Sequence, residues 1–165
     1  MLQLSIPLTR YHQYQGPTND CAPFTVAIAV NALTGAHLNG ADVVRAMDRP
    51  RLRGVLPVVR RIPRWATFPW GIVDELERNH VRARWRFGAD EADLLRALAE
   101  DRLALPIFGA WRPLWAHVRI LVAQDEVRGW GFVDAGQPGP DVLWEASARF
   151  ARLWRNYGNL LAETL

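Results

Sequence analysis

Lysine is absent from the chain: all 20 basic residues are arginine. A Schiff-base lysine, a phosphate-binding lysine after a glycine-rich loop and a lysine general base are therefore excluded. The arginine bias itself reads as genomic base composition and carries no function. Cysteine is nearly absent too. The single Cys21 excludes an internal disulfide, a four-cysteine zinc site and an iron–sulfur cluster built by one chain. Also missing is any run of about 18 apolar residues, so no membrane-spanning segment is expected. Met1 to Pro7 lacks the basic region and apolar stretch of a signal peptide. We find no internal repeat and no low-complexity tract. These absences lead to the expectation of a soluble, cytoplasmic protein with a reduced thiol, and with no metal or cofactor.

What is present suits one domain over residues 1–165. Half of the 165 residues are hydrophobic, which can supply a real core. The charged fraction, 22%, is ordinary, and the formal net charge of +3 is too mild to point to nucleic acid. After an extended lead-in of twenty residues, Asn19-Asp20 precede an apolar run from Ala22 to Leu33 that Gly35 closes. That is a helix with good N-cap and stop residues, apolar nearly all round and hence central. Further helices are expected at Ala41–Met47 after Asn39, at Gly71–Asn79, from the Asp90 cap to Glu100, and at Ser147–Arg155. Arg49 to Arg64, rich in Arg and Pro, reads as a long surface loop. Val81–Phe87 alternates as a strand with one wet face. Leu105–Ala110, Ala116–Ala123, Trp130–Asp134 and Asn159–Leu165 read as strands, with Asp125–Gly129 turning a hairpin. Helices first and an antiparallel sheet second make an α+β layout.

Cys21 falls where this reading puts a helix N-terminus. Unpaired amides and the helix dipole favour a thiolate there, the form in which cysteine is a nucleophile. Taken alone, Cys21 reads more readily as a small buried core residue. A thiolate nucleophile also needs a proton partner held by a third group. Of the four histidines, His12 and His37 lie in loops and His80 follows a helix. His117 opens a strand, and the turn at 125–129 brings it opposite roughly residues 134–137. That makes Asp134 a candidate cross-strand neighbour. An oxyanion needs a donor: the Cys21 N–H is one, and the Gln15 side-chain amide another if Gly16-Pro17 curl the segment back over the helix start.

Gln15, Cys21 six residues on, an apolar helix, then His117 and Asp134 on adjacent strands: this order resembles papain-like cysteine peptidases. Within that superfamily it is most similar to the bacterial double-glycine leader peptidases, which trim bacteriocin precursors. The resemblance covers about residues 13–37 and 111–138. It implies a papain-like α+β fold, with Cys21 as nucleophile, His117 as general base and acid, Asp134 orienting His117, and Gln15 as oxyanion donor. The chain departs from the pattern at Ala22 and Ala116, where glycine is common, and at Ala135, where proline is usual. Leader peptidases are normally fused to an exporting transporter, which nothing here encodes, so their substrate is not carried over.

The expected chemistry is acyl transfer through a thioester on Cys21, with a peptide or a small amide or acyl compound as substrate. The same apparatus serves a peptidase, an amide hydrolase or an acyltransferase. A non-catalytic peptide-binding module of the same fold is the alternative from another class. Trp111 and Trp115, just before His117, are candidate walls of the substrate cleft. Arg49, Arg51, Arg53, Arg60, Arg61 and Arg64, with Arg82, Arg84 and Arg86, form either a basic patch for an acidic peptide or nucleic acid or a solvated surface balanced by Asp74, Glu75, Glu77, Asp90, Glu91 and Asp93.

Overall fold

The chain begins with a short strand β1 (Leu2–Gln3), a 3₁₀ turn (Leu8–Tyr11) and the helices α1 (Cys21–Thr34) and α2 (Gly40–Met47). Two small hairpins follow, β2 (Arg51–Arg53) with β3 (Leu56–Val58) and β4 (Arg61–Ile62) with β5 (Ala66–Thr67). Then come α3 (Pro69–Arg78), β6 (Ala83–Arg86), α4 (Glu91–Ala99), β7 (Ala104–Trp111), β8 (Leu114–Val118), β9 (Ile120–Asp125), β10 (Gly129–Val133), β11 (Leu143–Glu145), α5 (Ser147–Arg155) and β12 (Leu160–Thr164). The computed structural model describes residues 1–53 and 55–165. The Arg53 side chain, named above in the basic loop, lies outside the described residues.

The larger strands form two antiparallel four-stranded sheets, ordered β1-β9-β10-β11 and β6-β12-β7-β8. The α+β class expected from the element order is the one observed. Helix α1 carries buried side chains from Ala22 through Asn31 on nearly every side, as its uniform apolarity predicts. Pro23 is tolerated because it sits in the first turn, where its missing N–H has no helical partner to lose. Gly35 ends the helix at φ +71° and donates its N–H to Asn31 O at 3.0 Å, a backbone setting that favours glycine. Helix α4 begins as read: Asp90 accepts from the Asp93 N–H, and Asp93 accepts from the Asp90 N–H.

Three local expectations are corrected. The Arg49–Arg64 segment is two hairpins rather than one loop, and two of its arginines are buried: Arg60 pairs with Glu75 at 2.7 Å and the wholly buried Arg61 with Asp20 at 2.6 Å, while the exposed Arg51 meets Asp74 at 2.5 Å. Asp74 and Glu75 thus balance the loop, and Asp93 balances Arg86 at 2.9 Å. Asp20 stands at the N-cap of α1 but makes no side-chain cap bond, because Arg61 holds its carboxylate. Finally, Ala116–Ala123 is not one strand. It breaks at Arg119, with β8 pairing β7 in one sheet and β9 pairing β10 in the other. A chain that changes sheets at a corner needs a residue outside both ladders.

The buried apolar side chains form a contiguous core. Its centre is aromatic: Phe150 of α5 packs on Phe108 of β7, Trp130 and Phe132 of β10, and Trp154. Phe150 is fully buried and joins both sheets. Replacing Phe150 by Ala is expected to destabilise the protein by about 3–5 kcal/mol, measured by urea denaturation; a loss under about 1 kcal/mol would show that the sheets are joined elsewhere.

Candidate functional site

Cys21 opens α1. The helix is fastened to the edge strand β8 by the Thr25 hydroxyl, which donates to Val118 O at 3.5 Å. That fastening sets Cys21, at the helix start, beside His117, one residue earlier on β8, close enough for the two side chains to interact. His117 Nε2 and Asp134 Oδ1 lie 2.6 Å apart. Since Nε2 faces the carboxylate, Nδ1 is the ring nitrogen left for the thiol. The pair meets across the corner between the sheets. His117 pairs with Phe108 in one ladder, and Asp134 follows the last β10 residue in the other. They are therefore not partners in one ladder, although the side chains meet as the hairpin argument required.

Asp134 is 5% exposed, and a buried carboxylate must be compensated. Oδ1 accepts from the Gly136 N–H at 2.7 Å, and Oδ2 from Arg119 Nε at 2.6 Å. Burial would raise the acid's pKa. The hydrogen bond and charge of His117, the charge of Arg119 and the Gly136 amide outweigh burial and bring it down to about 2. Burial likewise opposes a charged His117. The hydrogen bond to Asp134, then the hydrogen bond and charge interaction with Cys21, prevail and lift the ring from the ordinary histidine value to about 9. Gly136 has little room to change: a Cβ there would lie 3.1 Å from Asp134 Oδ1 and 3.4 Å from the His117 ring.

The first segment is laced to the turn after Asp134. The Gln15 N–H donates to Ala135 O at 2.9 Å, and the His12 ring bonds Asp134 O at 3.0 Å. The Gln15 side chain donates from Nε2 to Thr18 O at 2.6 Å, which leaves one N–H of that amide over, while Oε1 is buried without a hydrogen-bond partner. No side chain caps the start of α1.

The two candidate wall tryptophans separate. Trp115 pairs with Ala110 and His117 with Phe108, so all four side chains share one face of the sheet. The Phe108 ring meets Trp115 and His117 edge-on, each at 6.3 Å. Trp111 pairs with Leu114 and so projects to the other face. There it stacks on Tyr157 at 5.3 Å and lines an apolar groove of about 390 Å³ with Trp70, Trp85 and Phe87. The structure does not bring Trp111 to Cys21, His117 or Asp134.

Sequence reasoning missed Arg119, Gly136 and His12. Arg119 had a legible signal: two residues from His117 in an expected strand, it belonged to the same face. Gly136 acts through its own backbone N–H and the His12 ring through the Asp134 backbone carbonyl, and neither had one. Among the described residues there is no cluster of potential metal ligands, and no helix long and apolar enough to cross a membrane.

No family model and no curated protein matches the sequence. Among solved structures, the chain superimposes on the crystal structure of a candidate C39-like peptidase from Bacillus anthracis. The TM-score is 0.74 over 99% of this chain and 96% of that one, at 11% identity. The chain therefore shares the fold of that structure, of the α+β class the sequence resemblance implied.

The linkage of His117 and Asp134 to folding has a definite sign. His117 is more basic when folded, so its contribution is complete below about pH 6.5 and is lost as pH rises through about 9. Asp134 is more acidic when folded, so its contribution is complete above about pH 4 and is lost as pH falls through about 2. In urea denaturation, the stability difference between wild type and Asp134→Asn should be flat from about pH 4 to 6.5 and shrink toward pH 9. A pH-independent difference would count against the pairing.

Proposed function

We propose that the protein is a thiol-dependent acyl-transfer enzyme, a cysteine peptidase, acting as one domain on a peptide or a small amide. The reading is carried by a single observation: the His117 ring is fixed on the Asp134 carboxylate at 2.6 Å, on the strand to which the Cys21 end of α1 is fastened. That arrangement suits transfer of a proton away from a nucleophile and onto a leaving group. The likeness to a candidate peptidase across nearly the whole chain supports the same reading.

In the proposed reaction, the Cys21 sulfur, its proton passed to His117, attacks the substrate carbonyl and forms a carbon–sulfur bond. The carbonyl oxygen gathers negative charge near the uncapped start of α1, where backbone N–H groups, with the spare N–H of Gln15, are the candidate donors. His117, protonated at neutral pH, gives its proton to the departing amine as the carbon–nitrogen bond breaks, leaving a thioester. It then takes a proton from water, whose oxygen attacks the thioester; the carbon–sulfur bond breaks, releasing the acid and the Cys21 thiolate beside the reprotonated His117. Asp134 holds Nε2 throughout, so Nδ1 stays toward sulfur. Trp115, on the His117 face, is the candidate substrate wall; Trp111 would act only on a substrate long enough to reach the other face. An unpaired thiol of this kind suits the cytoplasm.

Iodoacetamide tests the nucleophile and p-nitrophenyl acetate the acyl transfer. Cys21 should alkylate at pH 7 at least about tenfold faster than glutathione, and the ester should give a burst of p-nitrophenol that Cys21→Ala and His117→Ala abolish. Gln15→Ala should lower kcat roughly 10²–10³-fold. Turnover should fall above about pH 9 as His117 loses its proton, whereas alkylation should not. Labelling no faster than glutathione together with no burst would sink the proposal.

A further inference from the structure

Arg119 has no role in the site proposed so far, and it is held on more sides than a surface arginine needs to be. Its side chain is 14% exposed. Nε donates to Asp134 Oδ2 at 2.6 Å, and Nη1 lies 3.5 Å from Glu145 Oε2 on β11. Its guanidinium sits 4.9 Å from the centre of the Phe108 ring and 5.9 Å from that of Phe132. Phe108 is also the ring that meets His117 edge-on at 6.3 Å. One aromatic side chain therefore bears on both the imidazole and the cation, and these approach Asp134 from opposite oxygens.

We propose that Arg119 is a positioning residue for the candidate site: by occupying Asp134 Oδ2 from a fixed place, it holds the carboxylate so that Oδ1 stays on His117 Nε2. The inference rests on the reading of Asp134 as the group that orients His117. Its physical content is that a carboxylate bonded only through Oδ1 can still pivot about that bond. A second donor on the other oxygen removes this freedom, and Arg119 itself is kept from moving by Phe108, Phe132 and Glu145. The Gly136 N–H shares Oδ1 with His117 and cannot replace a donor on Oδ2.

The charged and titratable groups around Asp134 decide what removing Arg119 would do. They are His117 from β8, Arg119 at the corner, Glu145 from β11 and, beyond His117, Cys21 from α1. The His12 ring meets the Asp134 backbone carbonyl, and Arg149 of α5 meets Glu145 Oε1 at 3.3 Å. Without Arg119, Asp134 loses a cation, faces Glu145 with nothing between them, and holds His117 less firmly. Each of these changes favours the protonated acid, so the effect has one sign.

The test follows the Asp134 carboxyl carbon by NMR as a function of pH, with Asp134→Asn identifying the signal. In Arg119→Met the Asp134 midpoint should rise by roughly one pH unit or more. Arg119→Gln keeps a donor without the charge; it should raise the midpoint as well, and it carries the test if Arg119→Met does not fold. Glu145→Gln removes the opposing carboxylate and should leave the midpoint in place or lower it. On p-nitrophenyl acetate, Arg119→Met should lower kcat about tenfold or more with KM unchanged, because Arg119 touches no substrate, and Arg119→Lys should restore the midpoint more than the rate. An unchanged midpoint in folded Arg119→Met, or an equal rise in Glu145→Gln, overturns the proposal. The NMR result stands whether or not the protein turns over any substrate, so failure of Arg119's role and failure of the hydrolase reading are told apart.

Discussion

A carboxylate taken out of water must be met by donors on both oxygens, and in this protein much of the candidate site is arranged around that requirement at Asp134. His117 and the Gly136 N–H meet one oxygen, and Arg119 meets the other. The backbone on either side is used as well: the Asp134 carbonyl accepts from the His12 ring, and the next carbonyl, Ala135, accepts from the Gln15 N–H. The N-terminal segment is thereby stitched to the end of β10, and α1 begins a few residues later. Asp134 sits where the two sheets meet, so its partners come from a strand, a corner and a turn that nothing else would bring to one point.

The segment between α2 and α3 shows the same physics on the other side of Cys21. Arg60 and Arg61 point inward, to Glu75 and to Asp20 and Asp48, while Leu52, Val55, Leu56 and Trp65 remain exposed. This inverts the usual placement of arginine and leucine. Arg61 is what removes Asp20 from its capping role, and Asn19 donates to Arg64 O at 3.0 Å. The start of α1 is therefore held by side-chain pairs with the hairpins instead of by a side-chain cap, and the backbone beside Cys21 stays open. The buried pairs specify how the hairpins sit; they are weak grounds for extra stability, since desolvating both charges offsets most of their attraction.

Much of the fold was legible because it depends on local pattern. The apolar run after Asp20 could only be a buried helix, Gly35 could only stop it, and the Asp125 turn closes as read, with Asp125 Oδ1 accepting from the N–H groups of Val127 and Arg128. The resemblance built on Gln15, Cys21, His117 and Asp134 led to the right fold class. Misread were features that depend on partners far along the chain. Asp20 has the chemistry of a cap and forms an ion pair with a residue forty-one positions away. Residues 116–123 have the apolar content of one strand and belong to two sheets. Trp111 and Trp115 are close in sequence, yet the pleat sends them to opposite faces.

By itself, then, the sequence determined the helices α1 to α5 and most of the longer strands, the single thiol at a helix start, and the order in which the polar groups of the candidate site arrive, because hydrophobic periodicity and turn chemistry act over a few residues. Only the tertiary structure decided that His117 meets Asp134 across a corner, that Arg119 stands on the far oxygen, and that Trp111 leaves for a separate groove. These depend on where two sheets cross and on which buried charges must find partners, and both are set by the packing of the whole chain.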